Sequence, residues 1–260
     1  MMRLLLISAI LLGLFFATSC RNNTKTVYTD TLSYQVVTQQ LSFNNCNPDS
    51  DDCSYIYHEY IKFDGQNEHA VKLNKILSGL LGTSKGKTIV QNQEVFIKEF
   101  EQYKKSYPDA PQVWFSRNIF SVPYQTNKLV CLSFDAEDYT GGAHGMYVIA
   151  YVNYHKTTKD TLGLQQLFSA ENLNIVTKLA ESYFRKNASM NDTTSFEEAG
   201  FWFSNEEFHL NNNFTISDEG ITWLFNPYEI APFAFGTIDV SLSKEELLKY
   251  IQPVYKDIWD

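Results

Sequence analysis

The sequence predicts an α+β fold of two lobes, each built on antiparallel sheets with packed helices, and three observations predict it. Segments rich in β-branched and aromatic residues recur at 34–43, 55–63, 114–124, 128–138, 146–154, 221–225 and 237–242. Several follow one another across short polar connections, as hairpins do. Apolar residues at helical spacing fall between these groups, so strands and helices do not alternate one by one as in a parallel α/β sheet.

The first hairpin joins 34–43 to 55–63. Ala70, Leu73, Ile76, Leu77 and Leu80 then mark a helix that stops near Gly79 and Gly82, and Val95, Phe96, Phe100 and Tyr103 mark a second one ending before Pro108. Gln125-Thr126-Asn127 connects the next two strands, and the glycine-rich 139–145 leads to a third at 146–154. Leu164, Leu167 and Phe168 precede a helix at 172–185 whose Leu173, Val176, Leu179, Ala180, Tyr183 and Phe184 form one apolar face. Short strands are expected at 208–210, 213–216 and 221–225, with Asp218-Glu219-Gly220 as the turn between the last two. After the Pro- and aromatic-rich connection 226–236, a strand at 237–242 gives way to a last helix, for which Ser243 and Glu246 make a capping box.

The amino terminus has a different character. Met1-Met2-Arg3 is a short positive region, and 4–16 is an apolar run too short to span a bilayer. With Ala17-Thr18-Ser19 and Cys20 after it, the segment reads as an export signal ending in a lipobox, the alternative being an ordinary cleaved signal with an incidental cysteine. The expected organisation is therefore a signal at 1–19, a lipidated tether at 20–33, an N-terminal lobe at 34–138 and a C-terminal lobe at 139–260. Acylation of Cys20 would anchor the exported protein to a membrane of the cell envelope, on its periplasmic or outer side.

Charge bounds the partners. The chain has 21 basic and 30 acidic residues, and loss of Arg3 with the signal leaves a formal charge of −10, which argues against nucleic acid and permits a cationic partner. Cys46 and Cys53 bracket a short polar loop, which in an oxidising compartment reads as a disulfide rather than as free or metal-bound thiols. Asp49, Asp51 and Asp52 in that loop resemble a calcium-loop fragment, but no glycine or distal glutamate completes it. Cys131, within Leu129-Val130-Cys131-Leu132, is expected to be a buried thiol.

Three motifs occur in order: Tyr139-Thr140-Gly141-Gly142-Ala143-His144-Gly145, then Asp160-Thr161-Leu162 opening 164–168, then Asn226-Pro227-Tyr228-Glu229-Ile230-Ala231-Pro232-Phe233-Ala234-Phe235-Gly236. The combination resembles the extracytoplasmic domain shared by the lysozyme-sensing anti-sigma factor RsiV and the peptidoglycan deacetylase PdaC. The resemblance implies a module that acts at the cell wall, with lysozyme or peptidoglycan as its partner. It does not imply anti-sigma activity, since no cytoplasmic segment and membrane span precede the domain here. Nor does it imply the separate metal-dependent deacetylase domain, for which this chain has no room.

The residues themselves point away from catalysis. The five histidines form no H-E-x-x-H or H-x₃₋₅-H pair, and the chain holds no G-x-S-x-G elbow or phosphate loop. No catalytic residue, metal site or cofactor is therefore assigned. His144 has Asp135, Glu137 and Asp138 upstream, an arrangement that suits a general base, against the plainer reading of a histidine bonded to backbone in a glycine-rich connection. Phe201, Trp202, Phe203, Trp223, Tyr228, Phe233 and Phe235 offer flat faces for sugars or a protein, although strand aromatics ordinarily pack a core. The expected binding surface is the Gly141, Gly142 and His144 connection together with Tyr228, Phe233 and Phe235, because the glycines admit a close backbone approach and Pro227 and Pro232 stiffen the second loop. The competing expectations are a peptidoglycan-directed hydrolase or deacetylase using His144, and a structural envelope protein with no dedicated ligand.

Overall fold

A computed structural model describes residues 32–82 and 88–260, together with the backbone of 23–27. The expected export signal at 1–19 and the expected lipidation site Cys20 lie outside the described residues. Seven strands join in sequence order into one sheet: β1 (Asn23–Val27), β2 (Tyr34–Ser42), β3 (Tyr55–Phe63), β4 (Phe115–Gln125), β5 (Leu129–Tyr139), β6 (Met146–His155) and β7 (Asp160–Leu162). Neighbours run antiparallel except β3 and β4, which are parallel. That exception follows from the connection between them, because α1 (Glu68–Leu80) and α2 (Ile89–Ser106) carry the chain back to the end at which β3 began.

Each helix starts where the sequence supplies a cap. The Asn67 side chain accepts from the Ala70 amide at the head of α1, and Ala70, Leu73 and Leu77 then share its buried face. At α2, Thr88 and Gln91 form a reciprocal capping box, which begins the helix six residues before the first apolar residue of the expected pattern, Val95. Gln93 ties α2 to the sheet: its Nε2 donates to the Gln39 carbonyl and to His58 Nδ1, each at 3.1 Å. Burial pushes the His58 imidazole down to about 4, so the neutral ring serves as the acceptor.

Two expected features differ. The stretch 20–33, expected as a tether, contains β1, which pairs with β2 from Asn23↔Thr38 to Val27↔Tyr34. A polar sequence suffices there because a strand at the rim of a sheet need not bury an apolar face. Residues 208–210, expected as a strand, are irregular. Phe208 and Leu210 are apolar because they fill a core, where the Phe208 ring lies 5.2 Å from Phe184 and 5.1 Å from Phe203.

The second sheet has the order β10-β9-β8, from β8 (Phe214–Ser217), β9 (Gly220–Phe225) and β10 (Ile238–Ser243). The short α3 (Leu164–Leu167) leads into α4 (Ala170–Asn187), capped by Ser169 and burying Val176, Ala180 and Phe184 at a spacing of four. The Ser243–Glu246 capping box opens α5, which ends after a single turn at Leu247. A 3₁₀ segment, Pro253–Trp259, closes the chain against the same core with Ile258 and Trp259.

β5 separates two cores. Leu129 and Cys131 belong to the core built with α4, β8, β9 and β10, whereas Val130 and Leu132 belong to the core built with α1 and Phe120. Successive side chains of a strand point to opposite faces, so the apolar run 129–132 feeds both. The sheet therefore continues through the expected division at 138/139, which falls within the β5–β6 hairpin. Cys131 is fully buried, with its sulfur 2.9 Å from Asn153 Oδ1, and burial raises its thiol to about 12. Cys46 and Cys53 are joined by a disulfide, Cα to Cα 5.5 Å, across the β2–β3 connection. Among the described residues no helix is long and apolar enough to cross a membrane.

Candidate functional site

Where β6 leaves the glycine-rich 139–145 connection, the second lobe reaches over and is fastened to it by two asparagines. Asn226 Oδ1 accepts from the Ile149 amide at 2.8 Å, and its Nδ2 donates to the Ile149 carbonyl at 3.0 Å. Asn213 does the same one step along, accepting from the Tyr151 amide at 2.9 Å and donating to the Ile149 carbonyl at 2.8 Å. A side-chain amide carries the donor and acceptor of a peptide group, so these residues continue the ladder of β6 where no strand does. The 226–236 loop leaves from that anchor.

The loop is shaped by its own bonds. Asn226 N donates to Glu229 Oε2 at 2.9 Å and the Tyr228 amide to the Ala231 carbonyl at 3.1 Å, a tight turn that holds Tyr228 at φ 66°. Left-handed backbone is strained for a bulky side chain, and here it turns the ring outward, 49% exposed. Pro232 then starts the 3₁₀ turn Phe233–Phe235. On the facing side Gly141 and Gly142 sit at φ 105° and 104°, a region that a side chain would make costly, and Tyr139 Oη donates to the Gly142 carbonyl.

These two loops meet in an aromatic stack. His144 lies flat on Phe233 with centroids 3.8 Å apart and planes 15° from parallel, and Tyr228 flanks both rings, 5.7 Å from Phe233 and 6.4 Å from His144. Tyr147 meets Phe233 edge-on at 5.7 Å. His144 Nδ1 donates to the Gly145 carbonyl at 2.8 Å, which leaves Nε2 as the acceptor facing the Tyr228 hydroxyl at 3.4 Å. The structure thus brings Gly141, Gly142, His144, Tyr228 and Phe233 together. Phe235 goes elsewhere: it is turned to Phe201, 5.6 Å away, beside a separate groove under α4. Of the other aromatics, Phe201, Phe203 and Trp223 are buried, and Trp202 is exposed.

Below the stack the face of the large sheet is open. A cleft of about 340 Å³ is lined by Arg117, Ile119, Asp135, Glu137, Tyr147 and Ile149. Register explains the set, since Arg117↔Glu137, Ile119↔Asp135, Glu137↔Tyr147 and Asp135↔Ile149 are cross-strand partners and so share one face. Tyr147 belongs to the cleft and touches the stack, joining the two into one surface. None of the cleft residues except His144's upstream neighbours Asp135 and Glu137 carried a signal in the sequence. The alternation Arg117-x-Ile119 and Asp135-x-Glu137 could have grouped them. Among the described residues no three His, Cys, Asp or Glu side chains gather as a metal ion would require.

Comparison with known proteins agrees with this architecture. Residues 49–147 match the family model described as Deacetylase PdaC, and residues 165–245 match that of a Protein of unknown function, DUF3298. The Peptidoglycan-N-acetylmuramic acid deacetylase PdaC of Bacillus subtilis (strain 168) is 25% identical over 167 residues, which cover 62% of this chain and 35% of that protein. The crystal structure of a DUF3298 family protein from Pseudomonas aeruginosa PAO1 superposes with a TM-score of 0.60 at 18% identity, covering 86% of this chain and 96% of that one. A member of the same family from Bacteroides fragilis NCTC 9343 gives 0.67 at 15% identity, covering 92% and 97%. Likeness at those identities is one of fold, and the two sequence matches lie in tandem, so that the chain is similar to the Deacetylase PdaC family over 49–147 and to the DUF3298 family over 165–245.

Proposed function

We propose that this chain is a non-enzymatic, cell-wall-associated binding module of the bacterial envelope, exported and held at a membrane through lipid on Cys20, that binds a wall-associated ligand on its aromatic stack and the adjoining cleft. The observation that carries the reading is the exposed stack of His144, Phe233 and Tyr228, assembled from two loops that the fold fastens together. Flat rings with polar edges suit either the face of a sugar or the anchors of a protein partner. The relative named as a peptidoglycan deacetylase supports a ligand at the wall, with a glycan fragment of peptidoglycan or a basic, lysozyme-like protein as the candidates.

The environment of His144 favours binding over catalysis. One ring nitrogen is committed to a backbone carbonyl and one face is covered by Phe233. Among the described residues no carboxylate is hydrogen-bonded to the ring, and no nucleophile other than the Tyr228 hydroxyl faces its free nitrogen, so the chain of base and orienting acid that activates a nucleophile is incomplete.

The test is calorimetric titration of the whole chain in detergent with soluble peptidoglycan fragments and, separately, with lysozyme, for wild type, Phe233→Ala and Tyr228→Ala. A parallel assay measures hydrolysis and deacetylation of the fragments. Saturable binding weakened about tenfold or more by either substitution, without turnover, is the expected result; about 1.4 kcal/mol separates a tenfold difference. Turnover abolished by His144→Ala would overturn the non-enzymatic reading, and equal affinity of all three proteins would remove the proposed surface.

A further inference from the structure

We propose that the cleft beside the stack selects a primary ammonium carried on a sugar ring, so that the module prefers a de-N-acetylated amino-sugar segment to the fully acetylated glycan. This deepens the binding reading above and rests on it. The charge on the sheet face supplies the argument. Asp135 and Glu137 line the cleft, and Glu59 lies on the same face through the pairing Glu59↔Ile119. Against these three carboxylates the face offers one guanidinium, Arg117, and among the described residues none of the three forms an ion pair within 4.0 Å.

The rest of the cleft makes that imbalance matter. Ile119 and Ile149 provide apolar lining between the charges, and a ligand seated there would displace the water that screens them. An acetamido group has no charge to offer, so it would leave the two carboxylates desolvated with only the hydrogen bond from Ser133 Oγ to Asp135 Oδ1, at 2.8 Å, in partial compensation. An ammonium would supply the missing positive charge and up to three donors. The negative field extends to the facing lobe: burial first, and then the charges of Asp135 and Asp239, hold the Tyr151 hydroxyl above the ordinary phenol range. The volume of about 340 Å³ lies in the range of small-ligand sites, about 300–1,000 Å³. Because Tyr147 joins the cleft to Phe233, a sugar ring resting on the stack can direct its amine, or that of the next ring, towards Glu137.

The experiment compares three probes at low and high salt, at a pH where the amines are charged: a glucosamine tetramer, an N-acetylglucosamine tetramer and tetralysine. Wild type, Phe233→Ala and the double variant Asp135→Asn/Glu137→Gln are titrated as whole chains, with near-ultraviolet circular dichroism confirming that each is folded. The expected pattern is about tenfold tighter binding of the glucosamine tetramer than of the acetylated one. The double variant should erase that preference by weakening the glucosamine tetramer and binding the acetylated one at least as tightly as wild type does, and Phe233→Ala should weaken both sugars. Equal or tighter binding of the acetylated tetramer overturns the proposal, as does an undiminished preference in the double variant. Tetralysine binding as tightly as the glucosamine tetramer would reduce the effect to charge alone and also overturn it. Failure of both sugars to bind wild type would instead remove the glycan-platform reading on which the proposal rests.

Discussion

Tyr228 shows how a single residue can be placed at a cost to the fold. Its φ of 66° is a conformation that glycine adopts freely and a bulky side chain does not, with a penalty of about 1–3 kcal/mol. The ring is half exposed, so little packing repays that strain. Tyr228→Gly is therefore expected to keep or raise stability, by up to about 1 kcal/mol, while abolishing or weakening ligand binding. Denaturant midpoints and the titration described above measure both; a clear loss of stability would mean that the ring is held for packing. At this scale the sequence was informative where residue type is constrained. Glycines at 141 and 142 and prolines at 227 and 232 mark backbone that must turn or stiffen, and the two loops they mark do meet. The cleft residues Arg117, Asp135 and Glu137 were less legible as a site, because alternation on a strand tells which side chains share a face but not which face is open or which strands lie side by side. Phe235 was grouped with Tyr228 and Phe233 by proximity in sequence, yet the 3₁₀ turn sends it towards Phe201.

Among the elements, the most consequential is the 226–236 loop, and its position depends on one side chain. Both hydrogen bonds between Asn226 and Ile149 come from the same amide, so Asn226→Ala leaves the Ile149 amide without its partner and leaves the Ile149 carbonyl only its bond from Asn213. The expected loss is about 1–3 kcal/mol, with faster amide exchange at Ile149 and weaker ligand binding even though no ring of the stack has been altered. Unchanged exchange at Ile149 would show that Asn213 alone holds the seam. The boundaries of elements were legible where chemistry punctuates them, as at Ser243 with Glu246. The same capping chemistry at Thr88 and Gln91 shows that α2 could have been placed from its head rather than from its apolar stripe, which starts later. β1 was hidden by a polar sequence, and 208–210 was mistaken for a strand because aromatic richness signals burial before it signals extension.

At the scale of the whole molecule, the mixed fold with two sheets was predictable, but the way the lobes are joined was not. A continuous apolar run at 129–132 means burial on both faces, and only the three-dimensional arrangement shows that the faces belong to different cores. A shared strand should make the two cores melt as one. Leu73→Ala in the first core and Leu167→Ala in the second are each expected to cost about 2–5 kcal/mol and to shift a single unfolding transition monitored by far- and near-ultraviolet circular dichroism. Two separated transitions in either variant would show that β5 does not couple the lobes. The parallel pairing of β3 with β4 has a further consequence, which concerns time. β2 and β3 are near in sequence and can close early, assisted once the Cys46–Cys53 bond has formed. The opposite side of β3 must then wait until α1, α2 and the start of β4 have been delivered. During that delay it presents unpaired amides and carbonyls to any neighbouring chain. The rate at which the two helices bridge this gap therefore sets how long a newly made molecule stays vulnerable to pairing with the wrong partner.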